Sequence, residues 1–235
     1  MMIYGINAVS EALRAGAPFQ TLYVQEGKES NPRISGILAA AARTGLAHQT
    51  LPDLQAICRS PDHQGIVAEL ERDLDRVLPL DPPPADHLVI LDGIQDPHNF
   101  GACLRVCEIF GFPHVVYHQG NSSGLTAAAI KVSSGAAFHI HLYHSNLNRA
   151  VRGLQSRGYK IITLEAQAET SLYDAELPER FALVMGSEGD GVRHAIRRLA
   201  DESWRIPIRG RLDSLNVSCA LSATLSDLAR RLPPL

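Results

Sequence analysis

Residues 91–111 read LDGIQDPHNFGACLRVCEIFG, and the change of pattern inside this stretch decides the fold. The apolar run at 88–91 predicts a short strand that ends in an Asp-Gly turn, and Pro97 then opens a helix that closes at Gly111. Proline suits a first helical position because the N–H it lacks would be unpaired there, and glycine suits the left-handed cap at the far end. Phe100, Cys103, Leu104, Cys107 and Phe110 recur at helical spacing and predict the buried stripe. His98, Gly101, Arg105 and Glu108 fall on another stripe. Gly101 would admit a ligand or another backbone, and Arg105 offers a cationic fork matched to phosphate. Such a face at the carboxyl end of a strand is where an open α/β sheet binds its ligand. The competing reading is an ordinary amphipathic helix with a solvated arginine.

Outward from this stretch, apolar β-rich runs at 87–92, 114–118, 136–142, 160–164, 181–185 and 204–208 alternate with helical segments. The helices are predicted near 97–110, 124–133, 145–157, 192–200 and 215–231. Such alternation predicts an α/β fold with a parallel sheet covered on both faces. Upstream, RDLDRVLPLDPPPADH (72–87), with Pro79 and Pro82 to Pro84, reads as a stiff connector. Before it lies a small α/β unit, with helices predicted at 6–15 and 34–43 and strands at 20–25 and 65–70. The expected division is therefore 1–75, a proline-rich linker over 76–86, and 87–235.

The 235 residues suffice for two unequal units with a substantial core. No run is long and apolar enough for a membrane span, and the amino terminus lacks the basic-then-apolar pattern of a signal peptide. Four cysteines, at 58, 103, 107 and 219, read as small buried hydrophobes in a reducing, cytoplasmic setting. A net charge of −3 argues against a general electrostatic grip on nucleic acid. Locally, Arg193, Arg197, Arg198, Arg205, Arg209 and Arg211 face only Asp201 and Glu202, which lends some support to an anionic partner.

Two further segments could carry chemistry. In FALVMGSEGDGVR (181–193) a buried strand ends in a loop with Gly186, Gly189 and Gly191, whose open backbone N–H groups could hold an anion or cofactor. The order is not that of a dinucleotide fingerprint or a P-loop, and a plain strand-to-helix turn is the competing reading. In IPIRGRLDSLNVSCALSATLSDLARR (206–231), Asp213 or Ser214 is a plausible N-cap, while Leu215, Ala220, Leu221, Leu225 and Leu228 predict a buried face. Asn216 and Ser218 fall in the first turn, where a ligand at the helix start could meet them.

Together these three segments resemble the three motifs of the SpoU-type branch of the SPOUT methyltransferases. The first is matched at Leu91, Asp96-Pro97-His98-Asn99, Gly101 and Arg105; the second at Val184-Met185-Gly186 and Glu188-Gly189. The third is matched at Ile206-Pro207, Gly210 and Ser214-Leu215-Asn216-Val217-Ser218. Upstream, Gly5-Ile6-Asn7-Ala8-Val9, Glu11-Ala12-Leu13 and His63-Gln64-Gly65-Ile66-Val67-Ala68 resemble the ribosomal-protein-like (L30e/L7Ae-like) RNA-binding domain of rRNA-modifying members. Asp213 and the Arg209-Gly-Arg211 loop are small departures that touch substrate detail.

The resemblance implies a carboxyl-terminal α/β trefoil-knot domain with a parallel sheet, acting as a homodimer. It implies transfer of methyl from S-adenosylmethionine to a ribose 2′-hydroxyl of RNA, with a guanosine of 23S rRNA favoured over a uridine, another rRNA position or a tRNA. It assigns cofactor contacts to Met185, Gly186, Ile206, Ile208, Leu215 and Ser218, and the reacting ribose to Asn99, Arg105, Glu188, Ser214 and Asn216. Family mechanisms often make the arginine a base. Arginine stays protonated at neutral pH, so a phosphate contact that stabilises charge on the ribose oxygen suits Arg105 better.

Three other readings compete. A nicotinamide enzyme would need the missing glycine fingerprint, and a non-catalytic RNA-binding relative would be expected to have lost Arg105, Glu188 or Asn216. His139, His141 and His144 are close in sequence, with His139 and His141 predicted on one strand face, but nothing nearby completes a metal ligand set, so no metal is expected.

Overall fold

A computed structural model describes residues 1–71, 74–79, 84–118, 120–212 and 214–233 of the chain. Residues 80–83 of the expected linker and the candidate cap Asp213 lie outside the described residues.

The amino-terminal unit runs β1 (Met2–Tyr4), α1 (Ile6–Arg14), β2 (Phe19–Gln25), α2 (Pro32–Arg43), β3 (His48–Leu51), α3 (Gln55–Cys58), a 3-10 turn at Pro61–His63, and β4 (Ile66–Leu70). Its sheet has the order β1-β4-β2-β3, with β4 antiparallel to both neighbours and β3 parallel to β2. Sequence patterning does not reach β1 or β3, because one is three residues long and the other (HQTL) is mostly exposed. The two quoted motifs of this unit meet in space. The Ile6 N–H donates to Gln64 Oε1 at 2.9 Å, and the Gly5 N–H donates to the Ile66 carbonyl at 3.2 Å. Gly5, at φ 94°, makes the sharp exit from β1 into α1 that L side chains resist.

The second unit runs β5 (Arg76–Val77), β6 (His87–Asp92), α4 (Pro97–Ile109), β7 (His114–Tyr117), α5 (Ala127–Val132), β8 (His141–His144), α6 (Leu147–Gln155) and β9 (Lys160–Leu164). It continues with β10 (Thr170–Ser171), β11 (Phe181–Gly186), α7 (His194–Arg197), β12 (Glu202–Arg205) and α8 (Val217–Arg231). The sheet order is β10-β12-β9-β11-β6-β7-β8-β5, and every pairing is parallel. The central strands are near-continuous apolar runs, as burial on both faces requires. Along β6, Leu88 and Ile90 join the core under α6, with Ala150 and Leu154, while Val89 and Leu91 face Leu104 of α4 and Leu221 and Leu225 of α8.

That second core continues without a break into the amino-terminal unit, through Ile130 of α5 to Ile3 and Val9. Lys131 clamps the seam: its ammonium lies 5.5 Å from the centre of the Tyr4 ring and donates to the Asp62 carbonyl at 2.7 Å. Gly135 sits so close to Glu11 that a Cβ there would overlap the glutamate's own Cβ.

Several expectations need correction. The segment at 136–142 is not one strand: Ala136–Phe138 is a 3-10 turn, His139 caps it at φ −106° and ψ −5°, and β8 begins only at His141. His139 therefore shares no strand face with His141; it lies 3.4 Å from Glu11, and His141 stacks on His114. Among the described residues no cluster of three metal-ligating side chains occurs, and no helix is long and apolar enough to cross a membrane. The last strand covers 202–205 rather than 204–208, and the helix expected at 192–200 shrinks to the four residues of α7. The expected linker contributes β5, paired with β8, and the buried Leu78. Cys103 and Cys107 are buried as expected, but Cys58 is half-buried and Cys219 exposed.

Candidate active site

The loops that leave the carboxyl ends of β6, β11 and β12 converge with the start of α8. After β6, Gly93 turns the chain at φ 78°, and the Asp96 carboxylate accepts the His98 N–H at 2.9 Å, capping α4 with Pro97 in its first turn. The first turn of α4 carries Asn99. Gly101, two residues on, does not open a gap for a ligand. It is buried, and a Cβ would overlap the carbonyl oxygen of Ala129, so the glycine serves close packing of α4 on α5.

After β11 the chain makes a tight loop. Ser187 and Gly191 exchange backbone hydrogen bonds at 3.1 Å each, with Gly189 and Gly191 at positive φ. A Cβ on Gly186 would overlap the backbone of Gly191 and Val192, so only glycine lets the loop fold back on the strand end. Asp92, wholly buried at the end of β6, anchors the loop's return. Its carboxylate accepts the Arg193 backbone N–H at 3.0 Å and Nε at 2.5 Å. Sequence reasoning missed this pair; the signal available was a lone charge ending an all-apolar strand.

Between β12 and α8, Ile206, Ile208, Ser214 and Leu215 line one cavity with Gly186, Glu188 and Gly189 of this loop. α8 begins later than its periodicity suggests. Asn216, rather than the expected Ser214, is the N-cap, and its Oδ1 accepts the Ser218 N–H at 3.0 Å and the Ser218 hydroxyl at 2.7 Å. That leaves the Asn216 amide N–H group free to point away from the helix. It donates to Asn99 Oδ1 at 2.9 Å and to Glu188 Oε1. One amide thus ties together the three segments in which the sequence concentrates its polar residues.

Beside this node lies a cavity of about 460 Å³. Met185, Gly186, Ile206, Ile208, Leu215, Ser214, Glu188 and Asn216 all line it. Leu215 is therefore not part of the buried face of α8; it is exposed at the cavity wall, as is Ile208. Ser218, expected at the cofactor, does not line the cavity and instead braces Asn216. A second, polar cavity of about 160 Å³ opens on the other side of Glu188, lined by Asp96, Asn99 and Asp190 among others.

Arg105 stands apart from the node. It is exposed on α4, and its Nη1 donates to Ser134 Oγ at 3.4 Å. Of the arginines between 192 and 211, Arg193 is committed to Asp92 and Arg197 to Glu165 at 2.8 Å, so the local positive excess is smaller than the sequence suggests. Burial, with the nearby Glu188 charge adding to it, pushes the Cys103 thiol up to about 12, which makes it packing rather than a nucleophile.

This geometry agrees with the comparison against known proteins. Residues 86–226 match the model of the SpoU rRNA Methylase family, and residues 2–73 match that of the RNA 2'-O ribose methyltransferase substrate-binding domain. The chain belongs to the SpoU methylase family. This SpoU methylase is 38% identical over 243 residues to the 23S rRNA (guanosine-2'-O-)-methyltransferase of Escherichia coli, covering 98% of each chain. It is 36% identical over 241 residues to the enzyme of the same description from Vibrio cholerae, covering 98% of this chain and 96% of that one. Among solved structures, an RNA 2'-O ribose methyltransferase superposes with a TM-score of 0.78 at 25% identity, covering 98% of this chain and 88% of that one. AviRb from Streptomyces viridochromogenes, solved with AdoMet, shares the fold with a TM-score of 0.80 at 20% identity, covering 98% of this chain and 89% of that one. The SpoU methylase thus has the two-domain α/β architecture expected from its motifs.

Proposed function

We propose that this protein transfers the methyl group of S-adenosylmethionine to the 2′-hydroxyl of a guanosine ribose in 23S rRNA. The observation that carries the reading is the Asn99–Asn216–Glu188 node, set between the larger cavity and the smaller polar one. Relatives that share over a third of their residues along nearly the whole chain bear this description, which supports the choice of substrate.

The larger cavity fits the cofactor. Its apolar wall (Met185, Ile206, Ile208, Leu215, Val217, Ala220) offers flat contact for an adenine, and the loop at 186–191 offers polar backbone. Bound there, S-adenosylmethionine supplies an electrophilic methyl group on a sulfonium. The chain's task is to position the ribose oxygen beside it and to manage the departing proton, and positioning alone can account for much of the rate. Asn99 and Glu188, held by the same amide, border the polar cavity that would take the ribose. Glu188 is the acceptor placed to receive a proton or to orient the hydroxyl. Arg105, projecting from α4 beyond the node, would bind an RNA phosphate and stabilise negative charge on the ribose oxygen; a guanidinium is a poor base at neutral pH. Ser214, which lines the larger cavity with Glu188 and Asn216, would contact the ribose.

The meeting of Ile206, Ile208 and Leu215 with the 186–191 loop at one cavity, and the packing of α8 on α4, support a trefoil knot in this domain. The mixed four-stranded sheet with two flanking helices supports an L30e/L7Ae-like amino-terminal unit. A cytoplasmic homodimer that presents two RNA-binding units to one substrate completes the reading.

The test is transfer of labelled methyl from S-adenosylmethionine to unmodified 23S rRNA, 16S rRNA and bulk tRNA, with Arg105→Ala as control. The expected result is incorporation into 23S rRNA alone, lost on substitution. Incorporation only into tRNA would overturn the substrate, normal turnover by Arg105→Lys would overturn the role given to that side chain, and absence of cofactor binding would overturn the reaction.

A further inference from the structure

Outside the site, α1 and α2 enclose a groove of about 670 Å³ that the reaction does not use. Asn7, Ser10, Glu11 and Arg14 line it from α1, and Arg33, Gly36, Arg43 and Thr44 from α2 and its end. The two helices run side by side, since each follows a strand antiparallel to β4. Arg33 therefore lies at one end, where its guanidinium donates to Asn7 Oδ1, and Arg14 and Arg43 lie at the other. α2 (PRISGILAAAAR) contains no acidic residue, and its outward face (Ser35, Gly36, Ala39, Ala42) is exposed. Solvent-facing helix surfaces ordinarily mix both signs of charge on long side chains. The groove's one carboxylate, Glu11, is already engaged by Arg14 at 2.5 Å and lies 3.4 Å from His139.

Glu11 also joins the groove to the rest of the molecule. Its side chain packs on Gly135, and the neighbouring Ser134 is the residue that Arg105 holds. A surface with arginines at its two ends thus leads, across the turn at 134–135, to Arg105 of α4, the helix whose first turn carries Asn99. On a chain whose net charge is −3, this local positive charge is selective rather than general.

We propose that the α1–α2 groove is the track of the substrate RNA's sugar–phosphate backbone as it leaves the reaction site, with Arg33, Arg43 and Arg14 on its phosphates. The proposal rests on the RNA-methylating reading above. Arginine forks match phosphate bidentately, the small residues of α2 let the strand approach the helix closely, and Ser10 and Thr44 offer hydroxyls to riboses. The backbone is read by charge and shape rather than by sequence, so this surface supplies affinity and orientation while base choice stays at the node.

The test uses the full chain, the double variant Arg33→Glu/Arg43→Glu, and an unmodified 23S rRNA transcript. Equilibrium binding over a range of salt, calorimetry with S-adenosylmethionine, and sedimentation of the free protein are measured in parallel. The expected result is at least tenfold weaker RNA binding and a log–log salt slope shallower by about 1.4, at about 0.7 for each single-strand phosphate no longer neutralised. Cofactor affinity is expected to be unchanged and the KM for RNA to rise. Arg33→Lys/Arg43→Lys should recover much of the binding, which separates charge from damage to the fold. RNA affinity and salt slope equal to the wild type would overturn the proposal. So would a change in sedimentation without a change in RNA binding, which would mark the face as a protein interface. A wild type that binds the transcript with this salt dependence yet transfers no methyl would refute the reaction while supporting the groove.

Discussion

Asp92 is the position at which a single substitution should separate the anchoring of the site from its chemistry. Its carboxylate is fully buried and holds two donors of Arg193, one from the backbone and one from the guanidinium. Removing one partner of a buried pair costs about 3–5 kcal/mol. The Arg193 side chain is 35% exposed and can turn to water, so Asp92→Ala belongs at the low end, about 3 kcal/mol. Asp92→Asn keeps one acceptor and loses the charge, at about 1.5 kcal/mol. In a chain of this size about 1 kcal/mol corresponds to roughly 2–4 °C, so alanine should lower the melting temperature by about 6–12 °C and asparagine by about half as much. The Ser187–Gly191 pair still closes the loop, so both variants are expected to fold. What they lose is the tether between the end of β6 and the segment that carries Glu188. A misplacement of about 1 Å at a reacting group costs on the order of a hundredfold in rate. Thermal unfolding and single-turnover methyl transfer at saturating RNA would measure both effects. A melting temperature within about 2 °C of the wild type for Asp92→Ala, with unchanged single-turnover rate, would refute the reasoning.

Other substitutions and conditions follow from the same contacts. Gly101→Ala forces a methyl into the Ala129 carbonyl and should destabilise the fold by about 3 kcal/mol, read as a lower urea midpoint with cofactor affinity retained. Gly186→Ala, which would overlap Gly191 and Val192, should instead abolish S-adenosylmethionine binding in calorimetry. Asn216→Ala removes the cap of α8 and the link between Asn99 and Glu188; we expect a loss of about 1 kcal/mol in stability and a much larger fall in turnover. Burial raises Cys103 from 9.0 to about 12, with Glu188 adding to it, and raises Cys107 well above 9.0. The folded chain then keeps protons that the unfolded chain gives up, so stability should be intact below pH 9.0 and fall as pH climbs toward 12 in urea titrations. At neutral pH a thiol reagent should modify the exposed Cys219 and spare Cys103 and Cys107 until the chain unfolds. His114 is lowered by burial and then by His141, so its contribution is present above pH 6.5 and is lost as pH falls below it.

The central strands and α4 were legible from sequence because their signals are local. Pro97 and Gly111 bracket one helix, and residues 87–92 and 181–186 are apolar runs that only a sheet covered on both faces can bury. The family motifs pointed to residues that lie together, since five of the six positions expected at the cofactor line one cavity. Periodicity alone misplaced Leu215, which has the spacing of a core residue, because it could not show that α8 starts at 217. Gly101 was read as admitting a ligand or another backbone, and it is the backbone of Ala129 that closes on it; sequence cannot tell which of the two will. The Asp92–Arg193 pair joins residues 101 apart, and its one local sign, a charge ending an apolar strand, does not name the partner. The histidines at 139 and 141 were placed on one face by alternation, and the 3-10 turn that breaks it lies at the seam, with His139 3.4 Å from Glu11.

The seam between the two units has a metric consequence. A single apolar core runs from Ile3 through Ile130 to Leu104, and Lys131 and Gly135 pin its edge. Because that core packs side chains of both units against one another, swinging one unit against the other would open it, and the packing holds the span from the amino-terminal unit to the Asn216 amide. Such a molecule is expected to work as a calliper, modifying the nucleotide that lies at a set separation from the structure it grips, so that an inserted or deleted base between the two should move the mark by one residue.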